Sequence, residues 1–433
     1  MRPFLALLML LILISGSGFA ADQEQEKTSD AFSYTVNTLV FGSVIDPAHS
    51  TQNPNNAFLD IYRYSTDLQV RPDVFLEQQY LSAVFKPRFT AFYRWWEDGV
   101  TKGRTDSADR AFVNEWRAQV KPHPSLFLSF GKEKLLWGPS FLSSPSNILF
   151  KDFEKVNPKS EVEGRYLAKM IYMPDNKVTF NLIRSTQKEE NEQQNAIKPI
   201  NVLKTDILGS NFQVSAIGYF RQEDRFRLGS YGQWTATDAL VLYYDGIITK
   251  GTDALYPVHD ETKPLGGTFD KRYDESGRLF TTVTAGGSYT FLSGSTFSME
   301  FLYNEQGYGN ADAREYYRLR QNASDHVFDT GLLSGLSQKT LGETYATGLP
   351  FLRRYYLMGQ YQVREIKNVL DLIVRYTHGI EEGAGQVSTI AEWRVSDRVQ
   401  FFNVNSLAVA ERRKSEFNAI VSKSFIAGIE MHF

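Results

Sequence analysis

The chain has 433 residues, a formal net charge of −3 and no cysteine. The lack of cysteine excludes disulfide bonds and thiolate metal sites. A charge this close to neutral over such a length argues against nucleic acid as a partner.

The first twenty residues have the three parts of a secretory signal peptide. Arg2 gives a charged start, residues 4–14 are apolar, and residues 15–20 are mostly small. We expect cleavage after Ala20, which removes Arg2 and changes the formal charge from −3 to −4. An uncleaved anchor is the alternative, but the apolar run is too short to span a hydrocarbon core of about 30 Å. Residues 21–30 then form a short polar tail.

After this tail, apolar and polar residues alternate in segments, which predicts strands with one apolar and one polar face. The clearest segment is 81–96, where Phe85 and Phe89 lie on one face and Lys86 lies on the other. Pro87 interrupts this segment. Because proline cannot donate a ladder hydrogen bond, we expect a bulge at this position.

About eighteen such segments can be counted, and short turns alternate with long loops between them. The stretch 200–235 has the weakest pattern, so sixteen strands remain an alternative. An even number of strands fits, because the first strand starts from one side of the membrane and the last strand returns to the same side. No long apolar stretch follows the signal peptide, so only a closed barrel would satisfy the backbone within lipid.

The chain ends on a strand pattern that stops at an aromatic residue. In residues 417–433, Phe425, Ile429 and Met431 alternate with residues that are mostly polar or small, Ile426 being an exception, and Phe433 is last. This end resembles the closing strand of Gram-negative outer-membrane β-barrels. In that family the terminal Phe and the apolar residues before it are the signal that the barrel-assembly machinery recognises. The resemblance therefore implies this role for Phe433.

The resemblance extends to the porin superfamily over nearly the whole chain and implies an all-β fold. We expect residues 31–433 to form a single transmembrane antiparallel up-and-down β-barrel of about 18 strands. It would lie in the cell outer membrane, in contact with lipid and lipopolysaccharide. Residues 1–20 are then the cleaved signal peptide and residues 21–30 a short periplasmic tail. The aromatic content of 14% suits aromatic belts at both membrane surfaces.

A barrel of sixteen to eighteen strands has a lumen wider than its own side chains can fill. We therefore expect a porin-like channel for passive diffusion of small hydrophilic solutes, present as a monomer or a trimer. Strand phase puts six basic residues on the inner face, where they would form a basic wall that favours anions. Pairing with acids such as Glu115 is the alternative. The six residues are Lys86, Arg88, Arg94, Arg117, Arg165 and Lys169.

The third long loop, residues 135–162, is too apolar for a free surface loop. Phe141, Leu142 and Phe150 would each lose about 1.5–3 kcal/mol if left in water. We expect the loop to enter the barrel, as the third loop of general porins does, and to form the constriction. A position across the rim of the barrel is the alternative. The predicted constriction residues are Trp137, Lys151, Asp152, Glu154 and Lys155.

Two other function classes remain open. The Trp137-Gly138-Pro139 segment resembles one in capsule-assembly outer-membrane barrels, which implies binding or export of surface polysaccharide. An outer-membrane enzyme is the third class, but the six histidines are scattered and no catalytic motif is present. We therefore predict no enzymatic activity, no catalytic residue, no cofactor and no metal site.

Overall fold

The computed structural model describes residues 31–150, 157, 159–186, 189–191, 194–197, 199–220, 226–274, 277–410 and 415–433. The predicted signal peptide and polar tail lie outside these residues. Eighteen antiparallel strands form one closed sheet, because the first strand pairs with both the second strand and the last. The prediction of an up-and-down barrel of about eighteen strands is confirmed. The weak stretch 200–235 holds three of the strands.

The barrel strands follow one another around the sheet in chain order, and short turns join them in pairs at one end. The barrel strands are β1 (Phe32–Pro47), β2 (Tyr64–Glu77), β3 (Leu81–Trp95), β4 (Thr105–His123), β5 (Leu126–Glu133), β6 (Arg165–Tyr172), β7 (Val178–Ser185), β10 (Asn201–Leu208), β11 (Phe212–Phe220), β12 (Arg227–Thr235), β13 (Leu240–Lys250), β16 (Leu279–Thr290), β17 (Thr296–Asn304), β18 (Tyr355–Ile366), β19 (Leu370–Gly379), β20 (Ala384–Ser396), β21 (Val399–Val409) and β22 (Val421–His432). Two hairpins in the loops comprise β8 (Glu189–Asn191) with β9 (Gln194–Ile197), and β14 (Tyr256–His259) with β15 (Gly267–Asp270).

The apolar face of each strand points outward. On β3, the outward side chains of Phe85, Phe89 and Tyr93 are 46%, 40% and 52% exposed. The pairing of β3 with β4 shifts register between Lys86 and Pro87, so the predicted bulge is confirmed. Exposed aromatic side chains lie near both ends of the strands, as the two surfaces of a membrane require. They include Tyr172, Trp234, Tyr289 and Trp393 near the short turns, and Tyr93, Trp95, Phe220 and Tyr355 near the long loops.

Two helices lie in the long connection between β17 and β18, where the sequence predicted only a polar loop. They are α1 (Asn310–His326) and α2 (Leu332–Tyr345). The buried side of α1 is formed by Ala313, Tyr316 and Leu319, whose spacing of three residues is a helical one. Neither helix in the described part of the chain has the length and apolar content needed to cross a membrane.

Candidate functional site: the barrel lumen and the segment that crosses it

All six predicted basic residues lie on the face opposite the exposed apolar one, as their strand pairings show. Four of them form ion pairs with carboxylates. Lys86 Nζ lies 3.1 Å from Glu115, and Arg88 contacts Asp73 at 2.9 Å and Glu161 at 2.6 Å. Arg117 and Lys169 share the carboxylate of Glu133. Arg94 stacks on the ring of Phe92, and Arg165 lies over the ring of Phe150.

Because of these pairs, the six residues do not form an uncompensated basic surface. Each carboxylate beside a guanidinium or ammonium group cancels most of its field at a distance. Glu133 and Asp73 lie in the same inward phase as Glu115, the only acidic neighbour predicted from the sequence. The functional role of the basic residues stays a prediction.

Residues 134–164, which we call the crossing segment, connect β5 to β6. Of the predicted constriction residues, Trp137 is half-buried within this segment. The other four, Lys151, Asp152, Glu154 and Lys155, lie outside the described residues.

On one side of the barrel, inward carboxylates accept hydrogen bonds from the backbone of the crossing segment. Glu300 on β17 accepts from the N–H groups of Phe141 and Leu142, at 2.6 and 2.7 Å. Asp245 on β13 accepts from the N–H group of Ser146 at 2.7 Å. Both carboxylates are buried. Hydrogen bonds to a charged acceptor stabilise by about 1.5–3 kcal/mol each, so this contact fixes the segment firmly.

The same side of the barrel also offers the segment an apolar surface. Leu149 and Phe150 are 1% and 3% exposed and pack against inward-facing aliphatic residues of β6 to β13. Such residues break the usual apolar-out, polar-in alternation of a membrane barrel. We call the inner faces of β6 to β17 the apolar wall. The aliphatic residues are Leu167, Ile183, Val202, Ile217 and Ile247.

The other side of the barrel binds the segment through charged side chains. Lys159 Nζ lies 2.6 Å from Glu392 on β20 and 2.6 Å from Glu430 on β22. Glu161 is held by two hydrogen bonds from Arg88 on β3, at 2.6 and 2.8 Å. We call the inner faces of β20 to β22, β2 and β3 the ion-pair wall.

The two walls face each other across the lumen. Strands β3 and β13 are the third and the eleventh of the eighteen barrel strands, so they lie nearly opposite. A chain that contacts both strands from their inner faces passes through the interior of the barrel. The described residues 141–150 and 159–161 of the crossing segment therefore lie inside the barrel.

A cavity of about 440 Å³ lies between residues 134–139 and the inner faces of β6 to β12. The cavity lies closer to the short-turn end of the barrel than the aliphatic residues around Phe150 do. Three lysines line it. Lys169 pairs with Glu133 and Lys204 with Asp206, and Lys134 interacts electrostatically with Glu161. The side chain of Trp137 also lines the cavity.

At the long-loop end, the helices bridge several loops. Gln52, in the β1–β2 loop, donates to the carbonyl of Leu341 in α2 at 3.0 Å. Tyr317 of α1 donates to Glu382 in the β19–β20 loop. Only the β21–β22 loop separates these two loops around the rim, because β22 pairs with β1, so the helices cover one side of the mouth. We call α1 and α2 the helical cover.

A pair of carboxylates lies beneath the helical cover. Glu416 accepts from the backbone N–H of Leu352 at 2.8 Å, and its own N–H donates to Glu382 at 3.3 Å. Removal from water raises the pKa of Glu416 to about 7, and repulsion from the Glu382 carboxylate adds to the rise. The positive charge of Arg353 attracts the carboxylate of Glu416 and thereby opposes the rise in its pKa.

Sequence reasoning missed the residues that hold the crossing segment. Glu300 and Asp245 stood in the inward phase of their strands, but nothing in the pattern showed that backbone N–H groups would reach them. Lys159 and Glu161 lay in the predicted loop and received no role. The sequence did contain one signal for this contact. Aliphatic residues lie in the inward phase of β6 to β13, and they predict that another part of the chain covers this surface.

Neither a protein-family model nor a curated protein matches the sequence. Solved structures share the fold. The chain is similar to OccK7 (OpdD) from Pseudomonas aeruginosa at 10% identity, with 94% of this chain and 99% of that chain covered and a TM-score of 0.54. It is similar to OccAB1 from Acinetobacter baumannii at 10% identity, with coverage of 96% and 99% and a TM-score of 0.54.

The chain is also similar to the outer membrane protein OprD from Pseudomonas aeruginosa at 9% identity. In that comparison 92% of this chain and 94% of that chain are covered, and the TM-score is 0.51. Identities this low are informative about the fold alone. They confirm the resemblance to porin-type outer-membrane barrels at that level.

Proposed function

We propose that the protein is a porin-like channel of the cell outer membrane through which small hydrophilic solutes diffuse passively. The observation that carries this proposal is the closed eighteen-strand barrel with residues 141–150 and 159–161 of the crossing segment inside it. A barrel of this size has an interior wider than its side chains can fill. A segment fixed to both walls would act as a size filter in such a lumen.

The membrane location is supported by the outer face of the barrel. Exposed side chains such as Phe85, Leu182 and Phe301 would be costly in water and suit lipid. Both described chain ends lie at the short-turn end, which we assign to the periplasm. The long loops then face lipopolysaccharide.

Targeting and assembly follow from the two ends of the chain. We propose that residues 1–20 are the cleaved signal peptide, that residues 21–30 form a periplasmic tail, and that Phe433 is read by the barrel-assembly machinery. Phe433 exchanges two backbone hydrogen bonds of 3.0 Å with Val36 of β1, so it lies at the seam that closes the barrel. Deleting Phe433 should lower the yield of folded barrel in the outer membrane. An unchanged yield would remove the assembly role.

We propose that the channel selects only weakly between small anions and small cations and has no strong preference for anions. Four of the six predicted basic residues are paired with carboxylates, which supports this reading. We also expect no enzymatic activity, because passive diffusion needs a path and no reacting group.

Binding or export of a surface polysaccharide is the second candidate. One observation favours it, which is the helical cover over one side of the long-loop end. A covered mouth suits a barrel that receives a glycan from one side better than it suits free diffusion from the medium.

Ion conductance in planar bilayers tests the proposal directly. The full-length mature protein should open channels of constant conductance in potassium chloride. Absence of conductance from a protein that is correctly folded in detergent would count against the channel and in favour of the glycan-binding candidate.

A further inference from the structure

The cavity beneath the crossing segment has the size of a small-molecule site. Its volume of about 440 Å³ falls within the common range of about 300–1,000 Å³ for such sites. It lies inside the barrel, because its lining comes from the inner faces of β6 to β12 and from residues 134–139. The chemistry of its lining indicates which solute would stay.

The charges around the cavity are compensated. Lys169 and Lys204 are only 7% and 11% exposed at their side chains, and each is paired with a carboxylate. Asp206, the partner of Lys204, also accepts hydrogen bonds from Asn181 at 3.0 Å and from Ser215 at 2.5 Å. Ammonium groups that are buried and paired offer little net attraction to an anion.

Lys134 also lines the cavity, is partly exposed and interacts electrostatically with Glu161, and the other accessible polar side chains are neutral. Gln213 is partly exposed and Gln233 is exposed, and neither side chain takes part in a hydrogen bond within the described residues. An amide offers both a donor and an acceptor, which is the pairing that a hydroxyl group requires. Two such amides on neighbouring strands, β11 and β12, can address two hydroxyl groups of one ligand.

The cavity also presents an aromatic surface. The indole N–H of Trp137 donates to the carbonyl of Ser146 at 3.3 Å. The ring face is turned towards Lys204, another lining residue, whose Nζ lies 6.0 Å from the ring centroid. The negative face of an aromatic ring attracts the positive edge of C–H groups. Leu136 and Ile171 extend this apolar surface.

From these observations we propose that the cavity is a binding site for a neutral, polyhydroxylated solute of monosaccharide size. Trp137 contacts the C–H face of the solute, while Gln213 and Gln233 bind its hydroxyl groups. The proposal depends on the channel function only for the route by which the solute enters.

The test uses the full-length barrel in planar bilayers, with D-glucose as the neutral probe and gluconate as an anion of similar size. Glucose should interrupt the ion current, and gluconate should do so less. The double variant Gln213→Met/Gln233→Met keeps the length of both side chains and removes both amides. We expect it to bind glucose about tenfold more weakly, as the loss of two hydrogen bonds implies.

Gln119→Met is the matched control, since Gln119 lies in the inward phase of β4 and outside the cavity. This variant should bind glucose as the unmodified protein does. Tighter binding of gluconate than of glucose, or equal glucose binding by the double variant and the control, would overturn the proposal. Equilibrium dialysis with labelled glucose separates the two hypotheses. Binding without conductance would reject the channel and keep the site, and conductance without binding would do the reverse.

Discussion

The two walls of the lumen hold the same segment by different interactions. On the apolar wall, Leu149 and Phe150 are buried among aliphatic residues, and Glu300 and Asp245 accept hydrogen bonds from backbone N–H groups. On the ion-pair wall, the segment is held by charged side chains, chiefly Lys159. The first attachment depends little on salt, whereas the second depends on charge and on ionic strength.

This difference indicates a division of roles. Hydrophobic burial and buried hydrogen bonds set the position of the segment, because breaking them exposes apolar surface and leaves carboxylates without partners. Ion pairs in a lumen that contains water contribute less to position and more to the local field. We therefore expect changes on the apolar wall to affect pore size, and changes on the ion-pair wall to affect ion selectivity.

The largest effect should come from removing the segment itself. Deleting residues 140–155 removes the contacts with the apolar wall and leaves Lys159 and Glu161 on the ion-pair wall. It should raise the single-channel conductance by roughly twofold or more, because the lumen is then wider. Shortening the β3–β4 loop within residues 98–103 is the control, and it should leave the conductance unchanged. An unaltered conductance after the deletion would mean that the segment is not the constriction.

A single change on the apolar wall should have the next largest effect. Glu300→Leu removes two hydrogen bonds of about 1.5–3 kcal/mol each, which should free residues 141 and 142 from the wall. Hydrogen exchange at these two amides should accelerate, and the current should fluctuate between levels. Glu77→Leu is the matched control, since Glu77 is exposed near the short turns. Equal behaviour of both variants would mean that Glu300 on the apolar wall does not set the position of the segment.

A single change on the ion-pair wall should alter selectivity more than conductance. Lys159→Met leaves Glu392 and Glu430 without their shared cation, so the lumen gains one net negative charge. The reversal potential in a potassium chloride gradient should shift towards cation selectivity. Adding Glu392→Gln to this variant restores the net charge and should reverse most of the shift. A shift that persists would assign the effect to displacement of the segment.

The smallest effect should be a pH dependence of the helical cover, far from either wall. The raised pKa of Glu416, about 7 against 4.5 in water, means that the folded cover binds this proton more tightly than the unfolded chain does. The contribution of protonated Glu416 to the stability of the folded cover is therefore fully present below about pH 4.5. It is lost as the pH rises to about 7. Hydrogen exchange in α1 should accelerate over this range in the unmodified protein.

Glu416→Gln supplies the control for this pH dependence. A glutamine keeps the acceptor for the N–H of Leu352 and cannot ionise. Exchange in α1 should then become independent of pH after correction for the intrinsic rate. A dependence that survives in the variant would place the titrating group elsewhere.

The sequence was sufficient for the barrel because its determinants are local and repeated. Alternation with a period of two specifies a strand and its two faces. The role of the terminal aromatic residue was implied only by the resemblance to outer-membrane barrels. The bulge at Pro87 was also predicted correctly, because the backbone N–H that proline lacks affects strand pairing at that same position. The helices α1 and α2 were missed because polar residues surround the buried stripe of Ala313, Tyr316 and Leu319.

What the sequence by itself determined is therefore the closed barrel, the phase of each strand and the presence of an apolar third loop that needed cover. Only the tertiary structure decided which carboxylate meets which cation across the lumen. It also decided that backbone N–H groups of residues 141, 142 and 146 bind Glu300 and Asp245. The physical reason is that every residue carries the same backbone N–H, so a contact made through it depends on the path of the chain and leaves no mark in the sequence.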